Sequence, residues 1–240
     1  MDVKMIFRIF SIITVFFFGQ AQAFVVDKMF IVGDREGNGI ITLTNTAKKT
    51  IFVQSKIDEF EIEAGHEFSK EPYNSQNVED WKISLTHSQS ILKPGESIDI
   101  GIRSLCVSVS CDENKDLMFF VTFTPSAYKT GGSDDVSSVE VNYGYAPVYI
   151  IPANKQSINY DIEYVGNELR VYNKSNTLLN LFIDACSDQV KTNCQRRAII
   201  LSGREKSLIL PEAMQVKKLK VIVESNNREY SKTTVLNRTL

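Results

Sequence analysis

Few residues in this chain could carry bond-breaking chemistry. His66 and His87 are its only histidines, and neither stands in a spacing that would hold a metal. There is no G-x-S-x-G elbow, no phosphate-cradling glycine loop and no metalloprotease helix signature. Carboxylates are plentiful but scattered. Glu59, Glu61 and Glu63 alternate along one extended segment, which reads as a solvated face and not as a general acid beside a general base. Cys106 and Cys111 are close in sequence, as are Cys186 and Cys194. A four-cysteine metal site would want C-x-x-C pairs, and neither pair has that spacing. Three pairings are possible, and one local disulfide in each half is the economical one in an oxidising compartment. Such short loops act as staples, with modest stabilisation from each bridge. Asn173-Lys-Ser175 and Asn237-Arg-Thr239 match the glycosylation sequon, which matters only in a eukaryotic secretory pathway. Asn173 reads better as a turn residue. No metal, no cofactor and no catalytic residue is expected.

Composition narrows the partners. The chain has 240 residues, a formal net charge of −2, 43% hydrophobic and 23% charged residues, the balance of a globular protein. No basic excess suggests nucleic acid, so proteins or small molecules are the expected partners. Residues 1–23 read as a secretory signal peptide. Lys4 and Arg8 precede a short apolar run with phenylalanine at 16, 17 and 18, and Ala21-Gln22-Ala23 offers small residues to a peptidase. Cleavage after Ala23 would leave a mature chain starting at Phe24. The apolar run is short for a membrane span, and no later stretch is long and apolar enough for one, so no membrane insertion of the mature chain is expected.

From Phe24 onward the text is all-β: short runs of valine, isoleucine, phenylalanine and threonine between turn residues. Strands are expected at 24–32, 40–45, 50–57, 81–85, 98–109 and 117–124, with 58–79 polar and irregular. The second half echoes the first. Residues 41–51, with an asparagine turn at Asn45, resemble 169–178, with Asn173 in the same place. Residues 91–98 resemble 200–208. Two copies of one β-unit, each near a hundred residues, imply two similar sandwich domains. They are placed at 24–152 and 153–240.

One stretch, residues 136–152, stands between the halves after the soft loop 129–135. Val139, Val141, Tyr143 and Tyr145 fall on one face of an extended strand and Ser138, Glu140, Asn142 and Gly144 on the other. Pro147 lacks an amide donor, which places the strand at a sheet edge. An apolar edge strand is an open template for another chain. The stretch is therefore either an ordinary half-buried core strand or a working surface.

These residues carry a resemblance. Leu43 to Asn45, the turn Leu92-Lys-Pro-Gly95, the aromatic strand 117–125, a glycine-containing loop and an alternating strand ending Tyr149-Ile-Ile-Pro152 follow a signal peptide. The chain resembles the periplasmic chaperones of bacterial chaperone–usher pilus assembly, and its cysteines and Tyr-Gly-Tyr-Ala-Pro text resemble the alternate or archaic branches. The resemblance covers the whole mature chain. It implies two immunoglobulin-like β-sandwich domains in a boomerang arrangement, a periplasmic location, and pilus or fimbrial subunits and an outer-membrane usher as partners. It also implies that the edge strand at Val139, Val141, Tyr143 and Tyr145 completes a subunit's sandwich, a donor-strand form of β-augmentation.

The chain departs from that family at one point. The best-known branch holds the subunit's terminal carboxylate with an arginine of the first strand and a lysine of the donor strand. Here Phe30 stands about where the arginine should be, and the donor strand has no basic residue. Arg103, Lys28 and Lys129 are the nearest basic candidates, with Arg103 first because a guanidinium suits a bidentate clamp. Two other readings stay open beside the chaperone. One is an exported two-domain adhesin or fimbrial structural subunit, binding through loops at a sandwich tip. The other is a secreted hydrolase, which the missing motifs disfavour.

Overall fold

The computed structural model describes residues 24–128, 143–188 and 190–239. The expected signal peptide, Lys129, Val139 and Val141 lie outside the described residues. The first unit is built from β1 (Phe24–Val26), β2 (Phe30–Val32), β3 (Gly39–Asn45), β4 (Ile51–Glu63), β5 (Glu67–Pro72), β6 (Ile83–Leu85), β7 (Gln89–Leu92), β8 (Ser97–Ser104), β9 (Leu117–Ala127) and β10 (Val148–Ile151). The second is built from β11 (Tyr160–Val165), β12 (Glu168–Asn173), β13 (Leu179–Asp184), β14 (Gln195–Ile200), β15 (Glu205–Ile209), β16 (Lys218–Ser225) and β17 (Ser231–Asn237). The described helices are two single 3-10 turns, Val78–Asp80 and Glu212–Met214. No helix among the described residues is long and apolar enough to cross a membrane.

The protein is all-β, two immunoglobulin-like sandwiches in one chain. In the first, the sheet β1-β3-β8-β6 faces the sheet β2-β10-β9-β4-β5, with β7 also paired to β4. Alternation decides which side chains go inside. Ile41 and Leu43 of β3 and Ile100 and Ile102 of β8 meet Val53, Phe119, Val121, Phe123 and Tyr149 from the other sheet in one buried core. In the second, β11-β12-β15 faces β14-β13-β16-β17 over Leu169, Val171, Leu181, Ile183, Val221 and Val223.

The asparagine turns seen in sequence are one device used twice. Asn45 and Asn173 are both fully buried at the end of a strand. The Asn45 Nδ2 donates to the Lys49 and Leu92 carbonyls, and its Oδ1 accepts the Ala47 amide. The Asn173 Nδ2 donates to the Thr177, Ile200 and Leu201 carbonyls, and its Oδ1 accepts the Ser175 amide. The side-chain amide of Asn173 is fully engaged inside the protein, so the turn reading of that residue holds.

Three local expectations are corrected. The first strand is not continuous over 24–32. It breaks at Asp27, whose carboxylate accepts the Thr42 amide, so β1 pairs with β3 in one sheet and β2 runs parallel to β10 in the other. Residues 58–72 are not irregular: β4 continues to Glu63 and returns as β5. The charges that hid this hairpin are on its rim. Glu59 is not on a solvated face either, since it pairs with Lys82 and accepts from the Tyr73 hydroxyl at 3.3 Å. Glu61 pairs with Lys115.

Candidate functional site

The site is built outward from β9, the long central strand of the larger sheet. Its first residues are buried on both faces because Leu117 and Phe119 enter the sandwich core while Met118 enters a second cluster on the sheet's outer face. β10 lies antiparallel to β9 and parallel to β2, so Val148–Ile151 is an interior strand. The edge expected from Pro147 is therefore corrected for this segment. Pro147 marks the point where the edge begins, and its own missing donor faces β9.

N-terminal to Pro147 only one side of the strand is paired. Tyr145 and Phe123 exchange both backbone bonds, at 3.0 and 2.7 Å, and the Val121 amide donates to the Pro147 carbonyl at 2.9 Å. The other side is used only later, where the Val148 amide donates to the Met29 carbonyl and the Ile150 carbonyl accepts the Gly33 amide. Ladder bonds alternate sides along a strand, so the backbone groups of Gly144 and Ala146 point to the β2 side. Residues 24–27 have crossed to the opposite sheet by then. No strand among the described residues pairs with Gly144 or Ala146 there.

The side chains continue the core into open space. Tyr149 is buried within the sandwich and its hydroxyl donates to the Gly37 carbonyl at 2.7 Å. Burial raises the Tyr149 phenol well above its usual range. Four residues back on that face, Tyr145 packs at the core's rim, 5.8 Å from the Phe24 ring. Two further back, Tyr143 is 78% exposed. Gly144 comes close to the partner strand: a Cβ there would sit 2.9 Å from the Phe123 carbonyl oxygen.

The opposite face of the same sheet looks toward the second unit and is aromatic. Phe30, which stands about where the resemblance would put an arginine, lies opposite Val148 in register. Behind them the Phe60 ring stacks on Phe120 at 4.1 Å, with the Phe68 ring 5.5 and 5.8 Å from the two. Ile150 and Met118 join this cluster from the first unit and Leu178 and Leu201 from the second. Two cations cap it. The Lys70 ammonium lies 4.6 Å over the Phe120 ring and the Arg204 guanidinium 5.1 Å over Phe68.

The basic residues expected from sequence are not gathered here. Arg103 lies on β8 opposite Ser84, exposed on the outward face of the sheet that does not contain β10. Its neighbour Ile102 takes the inward face, so Arg103 points away from the core of the first sandwich. Lys28 stands at the crossing between β1 and β2 with Asp27 at 3.5 Å. Sequence reasoning missed Lys70 and Arg204. The available signal was the alternation of Phe60, Ile62, Phe68 and Lys70, obscured by the charges between them. Cys106–Cys111 and Cys186–Cys194 are both bridged. Among the described residues no group of histidine, cysteine or carboxylate side chains could hold a metal ion.

Residues 26–152 match the family model described as the CS5 fimbrial protein N-terminal domain. The chain belongs to the CS5 fimbrial protein family. The fold of this family member is shared with fimbrial chaperones of known structure. It is similar to the class 5 fimbriae chaperone CfaA, with 14% identity, a TM-score of 0.53, and 89% of this chain covered against 99% of that one. A chain in the structure of the Salmonella enterica SafA pilin with the SafB chaperone is 10% identical at a TM-score of 0.52, covering 90% and 98%. A chain in a chaperone–tip adhesin complex of CFA/I fimbriae is 13% identical at 0.51, covering 89% and 98%. At these identities the likeness is one of fold. No curated protein matched the sequence.

Proposed function

We propose that this protein is a periplasmic chaperone of fimbrial subunits. It binds and stabilises a subunit by lending it the strand that runs into β10, and delivers it to an outer-membrane usher. The observation that carries the reading is the open edge at Gly144 and Ala146, with the exposed Tyr143 extending a face that meets the core's rim at Tyr145 and the core itself at Tyr149. A strand with one free edge and an apolar face completes a partner sandwich that lacks a strand. Val139 and Val141 are assigned to the same donor face, and a likeness to fimbrial chaperones in fold is consistent with it. The protein is not assigned a catalytic role.

Within this reading the cations over the aromatic stack, Lys70 and Arg204, take the partner's terminal carboxylate in place of Arg103, and Phe30 and Val148 receive the apolar residue before it. A charge-assisted bond contributes about 1.5–3 kcal/mol, tenfold or more in affinity.

The test is purification of the tagged protein from periplasm, with mass identification of any bound chain. The expected result is a fimbrial subunit in equimolar complex. Lys70→Gln should weaken that complex at least tenfold, while Arg103→Ala leaves it unchanged. Equal capture by Lys70→Gln would move the anchor to Lys28, Lys129 or Arg204 and leave the edge reading standing. Recovery of the protein itself in surface fimbriae, with no subunit bound in periplasm, would refute the chaperone and favour the structural-subunit alternative.

A further inference from the structure

The junction between the two sandwiches holds a carboxylate with no cation. Asp116 immediately precedes β9 and is 4% exposed. Its Oδ1 accepts the Ala153 amide of the connecting segment at 2.9 Å, and its Oδ2 accepts the Leu178 amide of the second unit at 2.7 Å. Its own amide donates to the Asn176 carbonyl at 2.9 Å. One residue of the first unit is thus bonded to the connection and to the second unit at once. The charged side chains on those elements are engaged elsewhere or exposed. Lys115 pairs with Glu61, Lys174 pairs with Asp161, and Glu113 and Lys155 are exposed.

A second attachment lies across the junction. The Glu205 amide donates to the Gly65 carbonyl at 2.7 Å and the Arg204 Nη1 to the His66 carbonyl at 2.8 Å. This hairpin contact uses neutral backbone acceptors and has no ionisable acceptor. The Asp116 clamp does, and an ion held out of water without a counter-charge is costly to keep there.

We propose that Asp116 is the positioning residue that fixes the second sandwich against the first, and that the junction opens more readily once this carboxyl has lost its proton. Burial raises the Asp116 carboxyl above its ordinary value, and the Ala153 amide, the Thr177 hydroxyl and the Leu178 amide, which act to lower it, offset that burial only in part. When the junction opens and water reaches the carboxyl, it returns toward the ordinary value of 3.8. Linkage then fixes the sign. The clamp is tightest below 3.8. It weakens as pH climbs from there to the raised value of the closed form, by up to about tenfold in the opening equilibrium per pH unit, and is constant above it. The two amide bonds persist with the ionised carboxylate, so the junction is closed but loaded at neutral pH. The inference does not depend on the chaperone reading.

The experiment is amide hydrogen exchange on the full mature protein from pH 3.5 to 8, corrected for intrinsic exchange. Protection of the Ala153 and Leu178 amides should fall as pH rises and then level off, while the core amides of Val121 and Val221 stay flat. In Asp116→Asn there is no proton to lose, and the protection of both junction amides should be independent of pH. A flat course in the wild type, a course shared with the core amides, or the same course in Asp116→Asn would overturn the proposal. Should Asp116→Asn fail to fold, the carboxyl carbon resonance of Asp116 in the wild type decides. It must titrate over the same pH range as the protection does, and a titration at the ordinary carboxylate value would refute the clamp.

Discussion

Ala146→Pro isolates the free edge without adding a charge. The Ala146 amide donates to nothing among the described residues, so the substitution removes a donor that the free protein does not use. Ala146 already precedes Pro147 and is exposed, and a residue before proline is held extended. Tyr145, which would become the residue before the new proline, is extended in its bridge to Phe123. The free protein should lose less than about 1 kcal/mol, which for a chain of this size is a melting shift of roughly 2–4 °C or less. A subunit strand added along this edge would meet a missing donor and a ring in the ladder. An unmade backbone bond costs about 0.5–1.5 kcal/mol, and a partner carbonyl left buried and unpaired costs about 1–3 kcal/mol. The sum corresponds to a loss of about tenfold to a thousandfold in affinity. Titration of the purified protein with subunit, beside thermal melts, measures both quantities, and Ala146→Gly, which keeps the donor, should bind as the wild type does. Normal capture by a folded Ala146→Pro protein would refute donation through this edge. A collapse of its own melting temperature would show instead that the Ala146 amide is needed inside the fold.

The remaining predictions test the second asparagine turn and the expected export. Asn173→Ala leaves the Thr177, Ile200 and Leu201 carbonyls without their shared donor and should cost about 1–3 kcal/mol or more, read as a lower midpoint in denaturant melts. The effect should be confined to the second sandwich, with the exchange of Val121 and Phe123 in the first unchanged. N-terminal sequencing of the protein recovered from periplasm should begin at Phe24, and an intact Met1 on membrane-bound material would contradict cleavage after Ala23.

The sequence determined what depends on near neighbours. Alternation in 41–45 and 169–173 set strands and the faces they bury, and Asn45 and Asn173 marked the same turn because the side chain bonds backbone only two to four residues away. The two disulfides join cysteines 5 and 8 residues apart, so their pairing was legible from spacing. Only the tertiary structure decided what depends on distant partners. Phe24 to Val32 looks like one strand, and its break at Asp27 follows from Thr42 in another strand. Pro147 suggested an edge, yet β2, more than a hundred residues earlier, makes β10 interior and leaves the edge free only before it. Lys70 and Arg204 cap a stack of three phenylalanine rings on three neighbouring strands of one sheet, β9, β4 and β5. Asp116 is one of many scattered carboxylates until folding buries it between Ala153 and Leu178. Strand propensity and turn chemistry act over a few residues, whereas sheet order, burial and the company a charge keeps are set by contacts that close long loops.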